Sequence, residues 1–135
     1  MKRILYALPL KLLILTSGYG YRIHPVTGKY ALHSGIDLRA NYDTVYAITS
    51  GTLKVSYNGL FGIYETVSNS SLCCTYGHLS QVLVGNGYVL AGTPIATTGA
   101  TGRVTGRHLH LSVSYQGHPI NPLTFLYQLT QQQHE

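Results

Sequence analysis

Arg107-His108-Leu109-His110-Leu111-Ser112-Val113-Ser114-Tyr115 is the stretch that decides the fold. Apolar and polar residues alternate along it. Leu109, Leu111 and Val113 fall on one side, and His108, His110 and Ser112 on the other. A period of two marks a strand with one face buried and the other facing solvent or a site. Two imidazoles at positions i and i+2 of a strand project side by side, so both can reach a single point in space.

Working outward, short β-favouring runs are separated by turn residues. Residues 45–49 and 52–57 flank Ser50-Gly51, and Asn58-Gly59 is a turn signal. Residues 63–67, 72–76 and 94–97 read as further strands, and 81–84 as a short one. Gly85-Asn86-Gly87 and Gly92-Thr93-Pro94 read as turns, and 99–106 as a glycine- and threonine-rich loop. Residues 17–35, rich in Gly, Tyr and Pro, read as a long structured loop. The one helix signal is Asn121 as cap with Pro122 at the first helical position, ahead of 123–129. Residues 131–135 read as a tail. The expected architecture is mainly β: a compact antiparallel sheet or sandwich with one short C-terminal helix.

The start of the chain supports two readings. Met1-Lys2-Arg3 with the apolar residues 4–10 looks like the opening of a signal peptide, but no small-x-small cleavage site precedes Thr16-Ser17. Alternatively, residues 11–16 form the first strand, the preferred reading; export would then need another route, an upstream leader or release by lysis. Lys11 interrupts the apolar run, so it is too short for a transmembrane helix.

The 135 residues suit one domain. Net charge is +5, but the nine Lys and Arg residues are scattered, which argues against a nucleic-acid surface. A mildly basic surface suits an anionic polymer, a membrane surface or simple solubility. Asp37, Asp43, Glu65 and Glu135 are the only carboxylates, against seven histidines, so imidazole chemistry is favoured over a carboxylate pair. Cys73 and Cys74 are neighbours and would point to opposite faces of a strand, as small apolar residues rather than a bridge.

Three segments carry the chemistry: His33-Ser34-Gly35-Ile36-Asp37, Tyr76-Gly77-His78-Leu79 and His108-Leu109-His110. Together they offer imidazole nitrogens and one carboxylate. Zinc takes such donors, and a catalytic zinc has three protein ligands and an open position. Four histidines exceed that need, and the spare imidazoles can act as general base or polarise a carbonyl.

Ser17-Gly18-Tyr19-Gly20-Tyr21-Arg22-Ile23-His24-Pro25-Val26-Thr27-Gly28, the three segments above and Thr98-Gly99-Ala100-Thr101-Gly102 occur in an order that resembles the lysostaphin/LytM-type zinc peptidases. The resemblance runs over roughly residues 12 to 127. It implies an antiparallel β fold with a groove over the sheet, in a domain over 17–130 preceded by a strand or leader at 1–16. It also implies a zinc endopeptidase acting on bacterial cell-wall peptidoglycan. By position, His33, Asp37 and His110 would bind Zn2+, and His78 and His108 would be catalytic. A location in the bacterial envelope, periplasmic or secreted, follows, with peptidoglycan peptide as partner, no nucleic acid, no stable membrane span and a monomeric state. The rival class is a weak or inactive wall-binding or activator module. Such relatives usually lose ligands, whereas all five positions are kept here.

The chain departs from the family pattern at Leu111-Ser112, at Asn41-Tyr42-Asp43 and at Ser68. His24 reads as structural, and His118 and His134 as solvated. Arg22 reads as bracing its loop and Tyr76 as packing. Arg103 and Arg107 flank the histidine pair, where a substrate carboxylate and plain solvation are both open.

Overall fold

The computed structural model describes residues 5–104 and 106–133. In chain order the elements are β1 (Leu15–Ser17), β2 (Gly20–Ile23), β3 (Tyr30–His33), β4 (Ile36–Arg39), β5 (Thr44–Tyr46) and β6 (Gly51–Asn58). They continue with β7 (Gly62–Ser68), β8 (Leu72–Val82), β9 (Gly87–Val89), β10 (Pro94–Thr98), β11 (His108–Tyr115), β12 (His118–Ile120) and α1 (Pro122–Gln133). The architecture is mainly β, as expected. Among the described residues, the main sheet runs β1-β4-β11-β8-β7-β6-β9, with β10 against β8 and β5, and β12 against β11. Every pairing is antiparallel, and β2 and β3 form a separate hairpin.

The alternation of 107–115 decides which way β11 faces. Leu109, Leu111 and Val113 are buried with Ile36 and Leu38 of β4 and Tyr76 of β8. That leaves His108 and His110 on the opposite side, beside Asp37. Burying a Leu or Ile side chain is worth ~1.5–3 kcal/mol. The five aliphatic residues on β4 and β11 therefore hold the site-bearing strands in one register. Leu126 and Leu129 of α1 join the same core. The helix starts as the sequence indicates: Asn121 Oδ1 accepts the Leu123 N–H at 3.0 Å. It continues through Gln133, so 131–133 are helical rather than tail, and His134 and Glu135 lie outside the described residues.

Five other expectations change. The strand expected at 11–16 is instead β1, Leu15–Ser17, paired with Leu38 and Asp37. Residues before it turn a corner: the Pro9 carbonyl accepts from Tyr46 N and the Ile14 carbonyl from Arg39 N, so the segment must bend between the two strands. Met1 to Ile4, part of the leader-like opening, are outside the described residues. The loop expected at 17–35 contains the β2–β3 hairpin, which has no fully buried side chain and leaves Tyr21, Ile23, Tyr30 and Leu32 exposed. The strand expected at 45–49 stops at Tyr46, because Ala47 pairs with Gly92 and Thr93 and Ile48 N donates to the Tyr76 hydroxyl at 2.9 Å. The run at 72–76 and the first two residues of 81–84 belong to one strand, β8, which ends at Val82, and Gly87 opens β9 instead of ending a turn. Cys73 and Cys74 are both free, and Cys74 is buried. No helix among the described residues is long and apolar enough to cross a membrane.

Candidate active site

β11 lies between β4 and β8, with His110 opposite Asp37 on one side and Gly77 on the other, and His108 opposite Arg39. β3 ends at His33, and Ser34-Gly35 returns the chain to β4. Gly35 is needed there. A Cβ would collide with the Leu111 carbonyl and sit 2.9 Å from His110 Cε1, so only glycine lets the return pass this close to β11.

Three imidazoles converge on one carboxylate oxygen. Asp37 Oδ1 lies 3.0 Å from His110 Nδ1, 3.5 Å from His33 Nε2 and 3.5 Å from His108 Nε2. Burial pushes the Asp37 carboxyl upward, but hydrogen bonds from His110 and His33 and the charges of His108 and His33 outweigh it. The net result is a carboxylate held far below its usual range. Arg22 Nη2 stands 4.0 Å from Asp37 Oδ2, so Arg22 reaches the centre as well as its own loop.

A carbonyl can only accept, which assigns the ring protons. His33 Nδ1 donates to the Gly18 carbonyl at 2.9 Å, so a neutral ring turns the lone pair of Nε2 toward Asp37. Lone pair facing carboxylate oxygen repels unless a cation lies between them. Ligand atoms of His33, Asp37 and His110 all lie within 4.8 Å of one another. Tetrahedral zinc with bonds near 2.0–2.1 Å needs ligand atoms about 3.3 Å apart. The donor set and its spacing therefore fit a zinc-type ion. Phe61 stacks on the His110 ring at 5.0 Å between centroids, which restrains the ring's tilt.

His78 sits apart from that trio, its ring 4.9 Å from His108 and 6.0 Å from His110. Its Nδ1 donates to the Thr101 carbonyl at 2.7 Å, again freeing Nε2. Its backbone is left-handed, with φ at 62°, in the middle of β8. A non-glycine residue in that conformation stores strain, and such strain clusters at functional sites. Burial pushes the His78 imidazole down to about 4; the Thr101 hydrogen bond opposes this, and His108 and His110 add to it. Burial also lowers His108, whose Nδ1 donates to the Gly106 carbonyl at 3.1 Å. Both rings are therefore neutral near pH 7, with a lone pair available to take a proton.

A groove of about 290 Å3 opens onto all five residues, with Phe61 at its edge. The Thr101 loop is clamped by two facing glycines. A Cβ on Gly62 would strike the Thr101 backbone, and one on Gly102 would strike Gly62. Elsewhere, His24 Nδ1 accepts from Val26 N and Thr27 N, which makes it a turn brace. His118 is exposed on β12, as a solvated residue. Tyr76 is fully buried, and Arg103 lines the groove while Arg107 turns outward to Asn41. Sequence reading missed Phe61 and the Gly18, Thr101 and Gly106 carbonyls. The Thr-Gly loop was visible as a motif, but a carbonyl's role leaves no mark in residue type.

Comparison with known proteins follows the same lines. The model for peptidase family M23 matches residues 31–122. The peptidoglycan DD-endopeptidase ShyC of Vibrio cholerae is 39% identical over 129 residues, covering 92% of this chain and 30% of that protein. The chain thus spans under a third of that relative's length. A zinc-containing peptidase from Vibrio cholerae superposes with a TM-score of 0.78 at 35% identity, over 89% of this chain and 39% of the other. The catalytic domain of lysostaphin from Staphylococcus simulans superposes with a TM-score of 0.75 at 27% identity, over 85% of this chain and 92% of that one. With most of its length matched by the family model and its fold shared with these peptidases, the chain belongs to peptidase family M23.

Proposed function

We propose that this chain is a zinc-dependent endopeptidase that hydrolyses peptide bonds of bacterial peptidoglycan, in the periplasm or outside the cell, with residues 17–130 as its catalytic domain. The carrying observation is that His33 and His108, each held at Nδ1 by a backbone carbonyl, both bring Nε2 to 3.5 Å from one oxygen of the half-buried Asp37, with His78 held in the same way beside them. The names of ShyC and the Vibrio cholerae zinc peptidase support the reaction and the metal.

His33, Asp37 and His110 would hold zinc. Bound there, zinc would supply a water of pKa ~7 and Lewis acidity toward the scissile carbonyl. His78 and His108 do the proton work at Nε2. One takes the proton of the attacking water and returns it to the leaving amine; the other donates toward the oxyanion only once its own Nε2 has been protonated. Thr101 and Gly106 keep each ring in the tautomer this needs. Among the described residues no glutamate reaches the site, since Glu65 is buried in the core.

Two variants test the division of labour. His110→Ala should lose both zinc, by elemental analysis, and clearing of purified sacculi. His108→Ala should keep zinc and lose hydrolysis by ~10^2–10^4. Clearing by His108→Ala at the parent's rate would sink the catalytic role.

A further inference from the structure

Beside the groove lies a second concavity of about 680 Å3, lined by Lys11, Arg39, Arg107, Asn41, Tyr42 and Asp43 among others. We propose that it is a carboxylate-binding subsite that takes an acidic group of the substrate peptide within about two residues of the scissile bond. This rests on the peptidase reading of the neighbouring groove and adds to it the chemical character of the substrate.

The first observation is position. On β4, Ile36 and Leu38 face the core, so Asp37 and Arg39 share the opposite side. In the pairing of β4 with β11, His110 stands opposite Asp37 and His108 opposite Arg39. Two residues of strand advance about 7 Å. Arg39 is thus one step along the same face from the proposed zinc ligand. An extended peptide crossing that face moves by the same stride, so a side chain two residues from the reacting carbonyl arrives at Arg39.

Charge is the second observation. Lys11, Arg39 and Arg107 all line the concavity, and among the described residues none of them forms an ion pair. The one carboxylate lining it, Asp43, accepts the Asn41 N–H at 2.9 Å through Oδ2. The cluster therefore carries an excess of positive charge, which an anion would offset.

Preorganisation is the third. Arg107 Nη1 donates to Asn41 Oδ1 at 3.2 Å, and its guanidinium carbon lies 4.6 Å from the centre of the Tyr42 ring. Tyr42 holds a left-handed backbone, φ 55°, to present that ring. A guanidinium has five N–H donors and this contact uses one, so a fork remains for a planar carboxylate. Leu10 and Ala40 are the buried apolar residues of the lining. A substrate built on diaminopimelate carries a side-chain carboxylate; a glycine bridge carries none.

The test is a calorimetric titration of the zinc-loaded protein with the tripeptide L-Ala-γ-D-Glu-meso-diaminopimelate and with its form amidated on the diaminopimelate side chain. Neither contains a D-Ala–diaminopimelate bond, so binding is read without that cleavage. We expect the free acid to bind about 10-fold tighter than the amide. The double variant R39Q/R107Q should bind both forms equally, while K54Q, which removes a charge on β6 at the far side of the sheet, should keep the preference. On crosslinked dimers, R39Q/R107Q should raise KM for the free acid with kcat little changed. Equal binding of acid and amide by the parent, or a preference that survives in R39Q/R107Q, would overturn the proposal. Absence of any hydrolysis by the parent would instead count against the peptidase reading, leaving the titration to decide the subsite by itself.

Discussion

Asp37 and Glu65 both sit on strands of one sheet and are both largely withdrawn from water, yet their surroundings are opposites. Asp37 on β4 meets three imidazoles and Arg22. Glu65 on β7 stands opposite Val55 and beside Tyr76, is fully buried, and neither of its oxygens has a hydrogen-bond partner. The first carboxyl is held ionised, whereas burial pushes the second up to about 8. Burial of an acid is tolerated in two ways: as an anion among cations, or as a neutral acid in an apolar place. Only the first makes a centre that can grip a metal.

The largest expected effect breaks the first half of this contrast. Asp37→Asn removes the charge while keeping the shape, and zinc content and sacculus hydrolysis should both fall by at least ~100-fold, as losing a ligand must exceed the loss of its support. Zinc measured at one equivalent in that variant would refute the assignment. Next comes Glu65→Leu. Because the fold raises this carboxyl, the native state keeps a proton that the unfolded chain releases above about pH 4.5. The group's stability contribution is full below that pH and is lost as pH climbs to about 8. Thermal melts of Glu65→Leu should therefore show an advantage over the parent that is small at pH 5 and reaches on the order of 4 kcal/mol by pH 9. A pH-independent difference would mean that Glu65 is not the neutral group described.

Two smaller changes sharpen the contrast. Phe61→Ala removes the ring stacked on His110 and should cost about 1–3 kcal/mol in stability and roughly 10-fold in zinc affinity, read by competition with a chelator. Unchanged affinity would show that β11 alone orients His110. Arg22→Gln loosens the 4.0 Å pair on the far oxygen of Asp37 and should cost under ~1 kcal/mol, with zinc retained. A large loss of zinc there would place Arg22 among the residues that hold the centre.

Much of this was legible in residues 107–115, where one buried face forces a strict period of two and so fixes which side the histidines occupy. The β2–β3 hairpin was not, because it buries no apolar face: Tyr21, Ile23, Tyr30 and Leu32 are all exposed. Ala47 and Ile48 were misread as strand because their partners, a distant turn and the Tyr76 hydroxyl, are set by tertiary packing. In the site, the side chains could be named from their motifs, and the structure brings all five together. The carbonyls that set the ring tautomers could not, since every residue has one. Glu65 could be counted, but its isolation depends on the neighbours that β6 and β8 supply.

The register of β11 couples shape to activity without a gradation between them. Deleting one residue just after Leu111, with the later residues kept in register, would exchange the two sides of 108–111, so leucines would enter the groove and imidazoles the interior. Gradual drift by insertion or deletion is therefore closed to this strand. Length variation in descendants of this gene should collect in the outer hairpin and the turns, leaving the spacing from His108 to Val113 untouched.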